Sequence, residues 1–185
     1  KRENIILFPS RVLEDKGAIE FINAAKLLSK NYSNWNFFIA GSCDYASIST
    51  INKSLIEDTS KIANIKFLGH VNDMPNLLKK TKIVCLPSYR EGFPKSLMEA
   101  CMAGCGIVTT DVPGCNEVVA HGVDGILCEP KNYKNLAVCL EELITDQNLL
   151  NVFAKRSRKK ALDNYCQNKI NNIIIKKIYN GGSFK

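Results

Sequence analysis

Short apolar runs alternate with segments of helical spacing along most of this chain, and no other feature constrains its fold as much. Ile5-Ile6-Leu7-Phe8, Trp35 to Ala40, Ile65 to Gly69, Ile83 to Leu86, Gly106 to Thr110 and Gly125 to Cys128 each read as a buried strand. Between the first two, Ile19, Phe21, Ile22, Ala25, Leu27 and Leu28 recur at the period of a helix. Further helices are predicted over Ile48 to Ile62, Met74 to Lys80 with Asp73 as cap, Cys115 to Val119, Tyr133 to Thr145, Leu149 to Tyr165, and a last segment to Tyr179. Unbroken apolar strands joined by helices call for βαβ units, and those call for a parallel sheet. The expected fold is therefore α/β: a Rossmann-like parallel sheet of about six strands with helices on both faces. In such sheets the residues just after each strand gather on one rim, where ligands bind. Arg11, Gly41, His70, Ser88 and Thr110 all fall there.

One stretch on that rim stands out, Pro87 to Gly104. Its loop runs into a helix that should begin at Pro94, a residue that loses nothing by lacking an N–H at a helix start. The helix should end at Gly104, which suits the left-handed turn after a last helical residue. A loop and helix start after a buried strand form a ready anion site. Two carboxylates flank this one, Glu91 and Glu99. An anion site with two acids beside it suits a ligand bearing both phosphate and hydroxyl groups, as a nucleotide sugar does.

At 185 residues, 45% apolar and 23% charged, the chain has enough length and apolar content to bury a full core. It contains no apolar run of about 18 residues, the length needed to span a bilayer. Its opening, Lys1-Arg2-Glu3-Asn4, lacks the pattern of a secretory leader. The eight cysteines include no Cys-x-x-Cys pair and several sit inside apolar patterns, so reduced, mostly buried thiols and a cytoplasmic setting are expected. Two histidines give no zinc-ligand spacing.

Net charge is +7, with much of the excess in Lys155-Arg156-Ser157-Arg158-Lys159-Lys160 and at Lys169, Lys176 and Lys177. No interleaved aromatics or recognition motif accompany these charges, so nucleic acid is not expected as a partner. A solvated helix face is the simplest reading, and attraction to an anionic membrane surface is the second.

Arg11 and Lys16 are two cations on the loop before Gly17. Arginine offers a planar fork to phosphate and lysine a movable point charge, so the pair can neutralise a diphosphate. No Asp-x-Asp pair is present to hold a diphosphate through a metal. The loop Pro9 to Gly17 has neither the Gly-x-Gly-x-x-Gly of dinucleotide sites nor a P-loop. Glu91 and Glu99 as an acid/base pair would mean glycoside hydrolysis, a reading that leaves the cations unused.

These residues carry a resemblance. Glu91-Gly-Phe-Pro-Lys-Ser-Leu-Met-Glu99, a glutamate, seven residues and a second glutamate, resembles the signature of the retaining GT-B glycosyltransferases of family 4. Arg11 with Lys16-Gly17 is similar to that family's phosphate-gripping pair. Thr110 to Gly114, Glu117-Val118-Val119 and Gly122-x-x-Gly125 match its downstream pattern, so the likeness runs from residue 5 to 145. The wording of Pro94-Lys95-Ser96 and of Val112 to Cys115 resembles bacterial surface-polysaccharide transferases.

The resemblance implies roles. Arg11 and Lys16 would hold the donor diphosphate and stabilise the charge on the leaving nucleotide, and Glu91 would contact sugar hydroxyls, which makes these three the catalytic candidates. Gly92, Phe93, Pro94, Lys95 and Ser96 would line the donor site, with Gly41 and Ser42 beside it. Glu99 would hold the ribose diol and the backbone of His70 and Val71 would meet the base. Many members have glycine where Pro94 stands, so contacts at that point must come from Phe93 or Lys95. The donor is expected to be UDP-linked and, as substrate, to need no metal or other cofactor.

The resemblance also implies that residues 1–165 form the carboxyl-terminal, donor-binding half of a GT-B enzyme, followed by a helical tail over residues 166–185. The acceptor half would be missing from this chain, and with it most of the transfer activity. The reaction implied is hexose transfer to a glycan or lipid-linked acceptor in polysaccharide biosynthesis, at the cytoplasmic side or peripherally at the inner membrane. A GT-B-type sugar-nucleotide epimerase and a non-catalytic nucleotide-sugar-binding module are the alternatives.

Overall fold

In the computed structural model, which describes residues 1–43 and 51–164, six parallel strands form one sheet. They are β1 (Glu3–Phe8), β2 (Asn36–Ala40), β3 (Ile65–Gly69), β4 (Thr81–Leu86), β5 (Gly106–Thr110) and β6 (Ile126–Cys128), in the order β3-β2-β1-β4-β5-β6. The helices are α1 (Ala18–Ser29), α2 (Lys53–Ser60), α3 (Met74–Lys80), α4 (Lys95–Ala103), α5 (Cys115–Val118), α6 (Tyr133–Thr145) and α7 (Gln147–Asn164). Helices α1 and α6 pack together on one face, and α3, α4 and α7 on the other. Burial explains the unbroken apolar strands: Ile6, Leu7, Phe8, Ile83 and Val84 are fully enclosed, and the Phe8 and Phe21 rings meet at 5.4 Å between centroids.

The structure corrects three local expectations. Pro94 is the cap preceding α4, not its first residue, because its ψ of 107° is extended while its carbonyl accepts from the amides of Leu97 and Met98. Helix α2 starts only at Lys53, where the Asn52 side chain accepts from the Ser54 amide; residues 48–50 of the predicted helix lie outside the described part. Helix α7 starts two residues earlier than predicted because the Asp146 carboxylate accepts from the amides of Asn148 and Leu149. Asp73 caps α3 as expected, accepting from the Asn76 amide at 3.0 Å, and α4 ends at Gly104 with φ of 76°. The tail over residues 166–185 lies outside the described residues.

Seven thiols are described, all unpaired; six are buried and Cys43 is partly exposed. The basic stretch of α7 is only partly a solvated face. Arg156 donates to the Val123 carbonyl, Arg158 to that of Met102, and Lys160 to that of Val118, while Lys160 also pairs with Asp124 at 3.0 Å. Lys155 and Lys159 remain exposed. Among the described residues no helix is long and apolar enough to cross a membrane.

Candidate functional site

The strand order reverses between β1 and β4: the chain first works outward to β3, then returns to β4 on the other side of β1. In open parallel sheets the crevice for a ligand lies beyond the carboxyl ends of the strands at this reversal. The loop after β1 carries Arg11 and Lys16, and the loop after β4 carries Glu91. Strand adjacency thus brings together residues far apart in sequence.

The two loops meet through backbone. Gly17, with φ of 75°, lies so close to Pro87 that a Cβ there would sit 1.9 Å from the Pro87 carbonyl oxygen. The Tyr89 amide and the Ser88 hydroxyl both donate to the Asp15 carbonyl, at 2.9 and 3.0 Å. From the other side Gly114 presses on the Glu91 loop, where a Cβ would meet the carbonyl oxygens of Glu91 and Gly92 at 2.5 Å. Thr110 joins this support by donating its hydroxyl to the Ser88 carbonyl. The loop after β2 is tied in as well, the Val12 amide donating to the Ser42 carbonyl at 3.1 Å.

Held this way, the Lys16 ammonium stands 2.8 Å from a Glu91 carboxylate oxygen, the two side chains being 19% and 14% exposed. Arg11 is exposed, and its side chain makes no hydrogen bond or ion pair among the described residues. One cation is thus preset by a carboxylate and the other is left to solvent. Such a pair of donors beside an anchored acid suits an incoming anion that also carries hydroxyls.

The remaining candidates divide. Gly41 closes β2 against the Ser10 backbone, and Ser42 contributes its carbonyl to the loop contact above. Gly92 and Phe93 are exposed, Pro94 is buried, and Lys95 and Ser96 open α4. Glu99 lies one turn along α4, its side chain 43% exposed and 3.6 Å from the Lys95 ammonium. It faces a groove of about 570 Å3 between α3 and α4, whose walls include Pro75, Leu78 and Met98. His70 and Val71 follow β3, with His70 exposed. Glu91 and Glu99 therefore take different partners, one a lysine on another loop and the other its own helix neighbour.

Sequence reasoning missed two things. One is the Tyr89 hydroxyl bonded to Glu20 at 2.7 Å, a contact across 69 positions with no local signature. The other is the pressing of Gly114 on the Glu91 loop, since a glycine after a proline reads only as a turn.

Comparison with known proteins gives a family and a matching fold. The family model of glycosyl transferases group 1 matches residues 1–160. The N,N'-diacetylbacillosaminyl-diphospho-undecaprenol alpha-1,3-N-acetylgalactosaminyltransferase of Campylobacter jejuni is 33% identical over 165 residues, which is 87% of this chain and 41% of that protein. The capsular polysaccharide biosynthesis glycosyltransferase CapM of Staphylococcus aureus is 26% identical over 92% of this chain and 43% of its own length. The chain therefore spans less than half the length of these relatives. Among solved structures, Anabaena HepE in complex with UDP superposes with a TM-score of 0.86 at 23% identity, over 97% of this chain and 49% of that one. The C-terminal domain of the glycosyl transferase group 1 protein LpcC from Francisella tularensis superposes at 0.79 and 26% identity, over 89% of this chain and 87% of that domain.

Proposed function

This chain belongs to the glycosyl transferases group 1, and from that premise we propose that it is the nucleotide-sugar-binding half of a retaining glycosyltransferase. Arg11 and Lys16 take the donor diphosphate and stabilise the charge that grows on the departing nucleotide, so that no metal is called for. Glu91, with the amides of Gly92 and Phe93, receives hydroxyls of the transferred hexose. Glu99 accepts the ribose diol at the mouth of the α3–α4 groove, and the backbone of His70 and Val71 meets the base. Pro94 supplies no amide, which leaves contacts at that point to the backbone of Phe93 or Lys95.

The observation that carries this reading is the Lys16–Glu91 pair at the β1/β4 reversal, with the Arg11 side chain on the same loop unpaired among the described residues. A hydrolase or a bare phosphate site would use only part of that set. Relatives of C. jejuni and S. aureus are named for transfer to lipid-linked acceptors and for capsular polysaccharide synthesis. By the same reading the acceptor of the whole protein is a glycan or lipid-linked sugar, met through a second half, and residues 1–165 alone transfer little. Peripheral contact with the inner membrane follows from such an acceptor, with exposed Lys155 and Lys159 available to an anionic surface.

Thermal stabilisation by nucleotides tests the reading. A ligand at about 100 times its dissociation constant adds about 2.7 kcal/mol of stability. UDP and UDP-hexoses are expected to raise the melting temperature more than GDP or ADP, with or without EDTA, and Glu99→Ala is expected to weaken the effect. If no nucleoside diphosphate shifts the melt, the donor-site assignment falls.

A further inference from the structure

Tyr89 occupies the loop two residues before Glu91, and its side chain does not face the proposed ligand space. It turns back to α1, where the phenol donates to a Glu20 carboxylate oxygen at 2.7 Å. Glu20 is 8% exposed, and its second oxygen has no hydrogen-bond partner. On the third side, the Lys131 ammonium from the loop after β6 lies 4.8 Å from the centroid of the Tyr89 ring. The side chain therefore joins its own loop to α1 and to the loop after β6, while the Tyr89 amide holds the Asp15 carbonyl next to Lys16.

Burying a carboxylate with one of its oxygens unpartnered works against stability. A leucine would fill similar space without that cost. What the carboxylate adds is direction, because it fixes the phenol oxygen at one point. The phenol stays a donor throughout the neutral range, since burial first and the Glu20 bond second hold it above its ordinary value. Tyr89 is thereby clamped at its amide and at its hydroxyl, on either side of the Lys16–Gly17 turn. On the far side of Glu91 the backbone is held by Gly114, whereas a Cβ on Gly92 would meet nothing within 4 Å. Lys16 holds the Glu91 carboxylate itself and the Ser88 hydroxyl ties the loop at the Asp15 and Arg90 carbonyls, while the Tyr89 anchor and the Gly114 contact fix the backbone on either side from which Glu91 extends.

We propose that Tyr89 and Glu20 are positioning residues that aim Glu91 at the donor sugar, acting through the loop without touching the ligand. This rests on the donor-site reading above. The proposal separates two parts of donor affinity. The cations on the β1 loop serve the diphosphate, and the anchored Glu91 serves the sugar. Loss of the anchor should remove the second and spare the first.

Calorimetric titration of this chain with UDP and with a UDP-hexose reads the two parts separately. In the wild type the UDP-hexose is expected to bind about tenfold tighter than UDP. In Tyr89→Phe, UDP should bind within about twofold of wild type while the sugar-dependent gain disappears. Glu20→Leu should behave the same way. Glu20→Gln, which keeps an acceptor for the phenol, should retain most of the gain. In a Glu91→Ala background, Tyr89→Phe should change nothing further. Retention of the full gain in Tyr89→Phe and Glu20→Leu overturns the inference, and so does a parallel loss of UDP and UDP-hexose affinity, the mark of a merely structural role. If wild-type chain fails to bind UDP at all, the donor-site reading itself is overturned and the positioning role goes with it.

Discussion

The two ends of the sheet both carry arginine, and they use it in opposite ways. At the amino end Arg2 reaches under the helices and donates to the carbonyls of Leu78, Thr81 and Ala103, with the Cys105 sulfur at 3.4 Å. Arg158 adds a bond to the Met102 carbonyl at the end of α4. Those cations bond carbonyls at the ends of α3 and α4 and at the start of β4, where helix carbonyls lack a full set of partners within the helix. At the carboxyl end the Arg11 side chain has no protein partner among the described residues, and the Lys16 ammonium has only Glu91 there. The contrast teaches where function resides in a chain of net charge +7. A cation whose donors are consumed by backbone carbonyls is part of the fold, whereas one that the fold leaves unspent is open to a ligand.

The sharpest break of the comparison would come at the loop seam. Gly17→Ala places a methyl 1.9 Å from the Pro87 carbonyl oxygen at a positive φ, so a stability loss of several kcal/mol is expected in urea titration. Next comes Arg2→Ala, which removes the guanidinium bonds to three carbonyls at once. It should cost on the order of 3 kcal/mol while leaving UDP affinity within about twofold. A lysine there lacks the fork, so Arg2→Lys should recover little of the loss. The rim should give the reverse pattern. Arg11→Ala is expected to weaken UDP binding about tenfold, or 1.4 kcal/mol, with an unchanged melting temperature in the absence of ligand. Lys16→Ala should show a similar affinity loss and a stability loss of about 1 kcal/mol, because Glu91 is left without its partner. Equal effects of Arg2→Ala and Arg11→Ala on both readouts would erase the distinction.

The smallest effects concern thiols. Burial pushes Cys105, at the amino end, up to about 11 even with Arg2 beside it, and Cys101 up to about 12. Among the described thiols, partly exposed Cys43 on the rim side should therefore alkylate first at pH 8, as peptide mapping would show. The same shifts set a stability trend. Folded thiols hold their protons to higher pH than unfolded ones, so stability is intact below about pH 8.5 and declines as pH rises toward 11. A melting temperature that stays flat across that window would contradict the burial.

Much of the fold was legible because its signals are local. The limits of β3, β5, α3 and α6 follow from apolar runs, one Asp cap and turn residues. The identities of Arg11, Lys16, Glu91 and Glu99 as rim residues were legible too, since all follow strands. Their pairing was not. Lys16 meets Glu91 only because β4 returns to the flank of β1, and strand order is a property of the whole sheet. Pro94 was misplaced by one position because its fixed φ suits both a cap and a first helical residue; ψ separates the two, and ψ is set by the preceding loop. Glu20 carries no local signal of its contact, because packing of the β4 loop on α1 is what buries it against Tyr89. The basic run of α7 looked solvated because sequence does not show which carbonyls stand opposite.

The Lys16–Glu91 bridge also bears on the end of the catalytic cycle. In the proposed site the resting carboxylate acts as an internal competitor for the lysine, and any diphosphate must displace it. A sugar conjugate compensates Glu91 with hydroxyls, whereas the spent nucleotide, having lost its sugar, offers the freed carboxylate nothing. Return of Glu91 to Lys16 then favours departure of the spent nucleotide. A single half-buried contact of 2.8 Å would thus bias the proposed site toward fresh donor and against the spent nucleotide.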